Sequence, residues 1–372
     1  MSNRRVLSLA RLGVLVLGAL AASADGRAEV PVAFSHGDWA LVCDNTGTCR
    51  AAGYQAEADP EGVVNVPVSV LLTRDAGAGT RVSAQLLLGQ DWSDDAPNPL
   101  PAEVALHVDG RVHGRIPIAG NEGGAPLSAS QVATLLAALR RDSRIEFHAN
   151  GGAEVWRLSD KGASAVLLKM DDAQGRVGTV GALVRRGEAD ESAVAAATPE
   201  PIVRAVGAAP AQPGDDDVAT RHGPAILAAL RAADPAQDCV DLHEPRRFRN
   251  GDAQALVVHR LDAERLLVES PCWLAAYNEG RAFWIVNDAP PFRAMLAAEG
   301  NDLRIDATLI EISASNKGRG VGDCWSHETF TWDGARFLRT ASGDTGLCRG
   351  FPGGAWSLPN WVSEVVAASP VR

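Results

Sequence analysis

Six cysteines, Cys43, Cys49, Cys239, Cys272, Cys324 and Cys348, follow an apolar N-terminal segment that reads as an export signal. Thiols sent to an oxidising compartment pair with one another, so three disulfides and no free thiol are expected. The signal reading rests on Arg4, Arg5 and Arg11 ahead of the apolar run Leu12 to Ala22, followed by the small-residue site Ala22-Ser23-Ala24. A spanning helix needs about 20 apolar residues, roughly twice this run, so no stable membrane insertion is expected once residues 1–24 are removed. Their removal takes away three arginines and no acids, moving the formal charge from −11 to −14. So acidic a chain repels nucleic acid and anionic lipid. A periplasmic or secreted protein is the expectation.

Length and composition, 372 residues at 46% hydrophobic, fit two domains rather than one. Residues 188–220 are rich in Ala, Pro, Asp and Glu, with almost no periodic apolar content to form a core, and read as a flexible linker. It separates an N-terminal β-rich domain with two helices, 29–187, from a C-terminal disulfide-stapled β-rich domain, 221–372. Turn signals at Asp109-Gly110, Asn150-Gly151, Asn250-Gly251 and Asp333-Gly334 sit between β-forming runs, because these dipeptides accept the positive φ of tight hairpins. The expected class is therefore mainly β with a few helices (α+β), built from antiparallel sheets with one solvated face. Val132, Leu135, Leu136 and Leu139 repeat at helical spacing behind a Ser128 or Ser130 cap, as do Ala163, Val166, Leu167 and Met170. A third helix is expected to open the second domain, with Pro224 in its first turn and Ile226, Leu227 and Leu230 on one face.

Asp-Asn-Thr-Gly-Thr lies between Cys43 and Cys49, and a three-residue turn with Gly47 in the left-handed region sets the two cysteines opposite each other. If disulfides stay within domains, three connectivities remain for the other four cysteines. Sequential pairing, Cys239 with Cys272 and Cys324 with Cys348, is the one expected. A metal centre from Cys324, His327 and Cys348 competes weakly, since no Cys-x-x-Cys pair is present.

The motifs DWALVCDNTGTCRAAGY (38–54), LLTRDAG (71–77), PCWLAAYNEG (271–280), KGRGVGDCW (317–325), TWDGARF (331–337) and CRG (348–350) resemble the bacterial domain-of-unknown-function family 1176, known for its six cysteines. The first domain is also distantly similar to the invasion-associated locus B proteins, through Trp39, Cys43 and the pattern around GASAVLLKM. The resemblance implies an exported β-rich module at the envelope or a host surface. It carries over no active site.

Chemistry is sparse in the sequence. It has no Gly-x-Ser-x-Gly elbow, His-Glu-x-x-His pair, Walker loop or EF-hand, and Gly162-Ala163-Ser164 reads as helix. The glycine-rich stretch Lys317 to Gly322 can offer amides and two cations to an anion, though a surface loop leading to Cys324 is the plainer reading. His36 with Asp38, and His107 with His113, are candidate pairs, and each is more often a surface residue than a site. The acidic runs Asp94-Asp95, Asp171-Asp172 and Asp215-Asp216-Asp217 lack the alternation of a calcium loop.

Six of the nine tryptophans fall in the last hundred residues. Trp273 and Trp325 adjoin cysteines and suit core packing, whereas Trp356 and Trp361, in a Gly/Pro-rich tail and expected to be exposed, are the candidate binding residues, since flat rings bury large area at low conformational cost. A non-enzymatic module binding an envelope or extracellular protein, peptide or glycan is the favoured function, with no catalytic, cofactor or metal residue assigned. The alternative is a periplasmic hydrolase with acid and base on hairpin loops such as Asp91 to Asp95. The export reading sets a first expectation: N-terminal sequencing of protein from a periplasmic or secreted fraction should begin near Asp25, and an intact Met1 in the cytoplasm would contradict it.

Overall fold

The structure, a computed structural model, describes residues 31–57, 66–90, 99–118, 123–149, 154–244 and 256–367. The segment 1–24, the acidic run Asp94-Asp95, the Asp91 to Asp95 loop and the turns at Asn150-Gly151 and Asn250-Gly251 lie outside these residues.

The first half runs β1 (Val32–His36), β2 (Trp39–Cys43), β3 (Cys49–Tyr54), β4 (Val68–Arg74), β5 (Ser83–Leu88), β6 (Glu103–Val108), β7 (Arg111–Pro117), β8 (Ala125–Pro126), α1 (Ala129–Ala138), β9 (Ile145–Ala149), β10 (Val155–Leu158) and α2 (Ala163–Ala173). A six-stranded antiparallel sheet, β1-β2-β3-β4-β5-β8, packs on a four-stranded one, β10-β9-β6-β7. Alternation in β5 and β6 sends Leu86, Leu106 and their neighbours inward, as half-solvated strands require. Trp39, Leu72, Phe147 and Trp156 fill the space between the sheets, with Leu135, Leu167 and Met170 of the helices closing its ends. Both helices fall where their periodicity places them. Ser128 caps α1, accepting from the Gln131 amide while the Gln131 side chain accepts from the Ser128 amide.

The second half contributes β11 (Ile202–Arg204), α3 (Val218–Ala233), α4 (Val240–His243), β12 (Val257–Arg260), β13 (Arg265–Leu274), β14 (Glu279–Asn287), β15 (Ala294–Gly300), β16 (Asp302–Ile305), β17 (Ile310–Lys317), β18 (Trp325–Trp332), β19 (Phe337–Asp344), β20 (Leu358–Trp361) and β21 (Glu364–Val366). Here α3 and α4 lie on the sheet β12-β13-β14-β15, and that sheet lies on β16-β17-β18-β19-β20. The middle sheet is covered twice, so consecutive residues divide between two cores: Leu266, Val268 and Trp284 meet the helices, while Leu267, Phe283 and Ile285 meet Ile310, Ile312 and Trp332. Helix α3 begins six residues before Pro224, so the proline lies inside it rather than in its first turn. Ile226 and Leu230 still form its buried face.

All six cysteines are paired, Cys43–Cys49, Cys239–Cys272 and Cys324–Cys348. At the first, the Asp44 amide donates to the Thr48 carbonyl at 3.0 Å, closing a three-residue turn with Gly47 at φ 85°. The second ties the start of α4 to β13, and the third ties the start of β18 to the segment beyond β19.

That last segment departs from the expected separation of halves. Strands β2, β3 and β4 are buried on both faces, not half-solvated, because residues 347–358 lie across the outer face of the six-stranded sheet. Trp356 meets Val42, Ala52, Tyr54 and Leu71 there with Phe351 and Leu358, and its indole Nε1 donates to Ser69 Oγ at 2.6 Å. Trp356 is 8% exposed, correcting the expectation of a solvent-facing ring. Trp361 on β20 is half-buried, with its indole nitrogen shielded. Asn45 exchanges two hydrogen bonds with the Val362 backbone, at 3.0 and 2.7 Å. The stretch 188–220 is likewise tied down: β11 pairs in parallel with β21, the Thr198 amide donates to Thr46, and Glu191 meets the buried Arg176.

Truncation of a buried Trp ordinarily costs about 3–5 kcal/mol, and Trp356 carries a buried hydrogen bond as well. Trp356→Ala should therefore lower the urea midpoint strongly, and Ser69→Ala by the equivalent of about 1 kcal/mol. An unchanged unfolding curve for Trp356→Ala would show that the C-terminal segment does not hold the sheet.

Candidate functional site

The sequence marks two segments for chemistry nearly 300 residues apart, and the fold brings them to one cleft. Ser35, His36 and Gly37, at the end of edge strand β1, face Gly318 and Arg319 of the glycine-rich loop across a space of ≈ 480 Å³, with Leu347, Cys348, Arg349 and Glu57 completing the walls. Close packing fixes the first wall: a Cβ at Gly37 would come 2.5 Å from the Lys161 carbonyl oxygen, and the Asp38 amide donates to that same carbonyl at 2.9 Å. The second wall is fixed by the Cys324–Cys348 disulfide and by Gly318, whose amide donates to the Cys324 carbonyl at 2.9 Å. Asn278, on the turn between β13 and β14, exchanges two hydrogen bonds with Lys317 at 2.9 Å each.

Two guanidinium groups dominate the cleft, each backed by its own shielded acid. Arg319 forms a two-pronged pair with Asp323, Nε donating to Oδ1 at 2.7 Å and Nη2 to Oδ2, and its Nη2 also reaches the Cys348 carbonyl at 3.2 Å. Asp323 is 5% exposed and also accepts from the Gly350 amide at 2.7 Å. The Arg319 bonds hold the Asp323 carboxyl below its ordinary range, and Asp323 in turn pushes the Arg319 pKa up. Arg349 donates from Nη2 to Asp38 Oδ1 at 2.9 Å, and its Nη1 lies 3.0 Å from Glu57 Oε2. Its backbone carbonyl accepts from Gln55 Nε2 at 2.8 Å, which pins the loop to the first half.

His36 and Asp38 therefore do not form the expected acid–base pair. The Asp38 carboxylate is turned inward to Arg349, while His36 stands exposed at the rim. His107 finds its ring partner in another histidine. Its ring stacks on His148 of the neighbouring strand, 3.9 Å between centroids, and His148 Nε2 lies 3.1 Å from Glu146 Oε2. Burial, then the nearness of His148, lowers the His107 pKa. Ser164 lies on α2 and donates to the Leu139 carbonyl at 2.9 Å. The sulfurs of Cys324 and Cys348 are joined to each other, which removes them as metal ligands.

The described acidic runs serve as ion-pair partners. Asp215 holds Arg260, Asp217 holds Arg221, and Asp172 holds Lys169. Asp171 accepts from the Leu183 and Val184 amides beside Arg74, and burial pushes its carboxyl up. The residues that sequence reasoning passed over are Glu57 and Arg349. Arg349 lay in view within the motif CRG, but nothing in one dimension points it at Asp38, 311 positions away.

The family described as a protein of unknown function, DUF1176, matches residues 33–363, and the chain belongs to it. No curated protein and no solved structure matches the chain. The expected similarity of the first half to the invasion-associated locus B proteins is not shown by this match.

A depressed carboxyl stabilises the fold above its unfolded pKa of about 4 and loses that contribution as pH falls through its folded value. Asp323→Asn should cost about 1–2 kcal/mol at neutral pH, the half-exposed Arg319 limiting the loss. The gap between wild-type and variant urea curves should close as pH drops below about 4, and a constant gap would show that the carboxylate charge does not hold the loop.

Proposed function

We propose that the protein is exported, works in the periplasm or outside the cell, and is a non-enzymatic binding module whose ligand occupies the cleft between Ser35–Gly37 and the Gly318–Arg319 loop. One observation carries the reading: three distant stretches of chain, two of them pinned by backbone hydrogen bonds and one by a disulfide, converge on a solvent-open cleft that presents paired guanidinium groups. Rigid walls of this kind suit recognition, since little ordering entropy is lost on binding. The three disulfides support an oxidising location, and no described helix is long and apolar enough to cross a membrane. A partner protein, peptide or glycan at the envelope or outside the cell is the class of ligand proposed.

A photo-cross-linking side chain at His36 tests the cleft against a control at Val112, which is 61% exposed on β7. Irradiation of the mature, oxidised protein in an envelope fraction should give adducts from position 36 and not from 112. Equal labelling from both, or none from position 36, would remove the cleft as the binding site.

A further inference from the structure

Among the described residues, charge pairing in the cleft leaves one acid over. Arg319 has Asp323 and Arg349 has Asp38, each acid largely shielded from water, at 5% and 12% exposed. Glu57 is the third carboxylate, 78% exposed, yet it reaches Arg349 Nη1 at 3.0 Å and also favours the charged form of Arg319. A side chain so exposed gains little from an ion pair, so Glu57 is held there weakly. The Arg349 side chain itself is 9% exposed, and its Nε, shielded from water, has no acceptor within hydrogen-bond reach among the described residues. The shielded Nε lies beyond a ligand's reach, so the corner offered to the cleft is Nη1, and a carboxylate with two oxygens is the group that best spans the Nη1–Nη2 fork. Glu57 delivers one oxygen to it.

The cleft also has a backbone edge. Among the described residues, strand β1 is the last strand of its sheet, hydrogen-bonded to β2 on one side alone, and Ala33 to His36 are exposed. Its C-terminal end, Ser35 and His36, forms the rim of the cleft. An extended peptide added to this edge in the parallel sense would bring its own C-terminus to Arg349 and Arg319. Strand addition supplies affinity through the main chain, and capture of the terminal carboxylate fixes the register.

We propose that the cleft binds the free C-terminal carboxylate of an extended peptide, which pairs with the open edge of β1 and displaces Glu57 from Arg349. This names the ligand class of the binding site proposed above and rests on that reading. Glu57 is then an intramolecular stand-in: it satisfies part of the guanidinium when no peptide is bound and competes with the ligand when one is.

The test uses the mature, oxidised full chain and three fluorescent probes: a pool of hexapeptides with free C-termini, the same pool amidated, and a tri-galacturonate carrying carboxylates on a sugar. Anisotropy titration should show the free-acid pool bound, with amidation weakening it about tenfold or more and the acidic sugar no better than the amidated pool. Glu57→Ala should tighten the free-acid pool several-fold while leaving the melt unchanged, a gain that a merely structural glutamate would not give. Arg349→Lys keeps a cation for Asp38 but loses the fork, and should weaken the same probe about tenfold. Equal binding of amidated and free peptides would overturn the carboxylate claim, while cross-links from position 36 would leave the cleft reading intact. Preference for the tri-galacturonate would overturn the peptide source. Weaker or unchanged binding by Glu57→Ala would overturn the stand-in role, and no binding of any probe together with no cross-links from position 36 would sink both readings.

Discussion

The contact on which the molecule depends is the seal that residues 347–358 make on the outer face of the six-stranded sheet. Without it, Val42, Ala52 and Leu71 would present an apolar face to water, and strands β2 to β4 would lack half of their burial. Trp356 supplies the largest side chain of the seal, and its indole hydrogen bond to Ser69 fixes the ring's angle. A methyl at Gly124 would come 2.7 Å from that ring, so glycine is what lets the chain pass so close. The same segment joins the sheet of the second half through β20 and pairs β21 with β11. One stretch of chain thus connects both halves.

The cleft is a by-product of this seal. To cover the sheet, the chain must turn just after Cys348, and the Cys324–Cys348 disulfide anchors that turn to the start of β18. Arg349 is thereby carried to Asp38, and Gly350 to Asp323, while the glycine-rich loop is held against the end of β1. Acids bind the seal at several points, and each buried one is matched by directed donors, because an unpaired buried charge costs several kcal/mol.

The same rule governs the charged cluster at the far side of the first half. Arg176 is fully buried and donates to Gln174, Glu191 and Thr80, while Arg74 reaches Asp171 and the Gly181 carbonyl. Burial, aided by the neighbouring Arg176, lowers the Arg74 pKa to about 10. These bonds hold residues 174–191 in a defined path without regular secondary structure. They also explain why a stretch that reads as the start of a linker is instead fastened to the sheet.

Much was legible in one dimension because it is local. The helical spacing of Val132 to Leu139 and of Ala163 to Met170, the left-handed Gly47 opposing Cys43 and Cys49, and the β-rich class all follow from a few adjacent residues and their backbone preferences. Tertiary structure alone decided which faces were covered. The run WALVC is equally apolar whether one side or both are buried, and only the arrival of Trp356 from some 300 residues away makes it both. Sequence composition likewise placed Trp356 in an open Gly/Pro-rich tail, because glycine and proline report local backbone freedom and say nothing of what the chain is lying on. His36, Arg319 and Arg349 share a cleft, and Arg349 meets Asp38 behind it, for the same reason: a hydrogen bond needs 3 Å in space, and no periodicity records a separation of 311 residues.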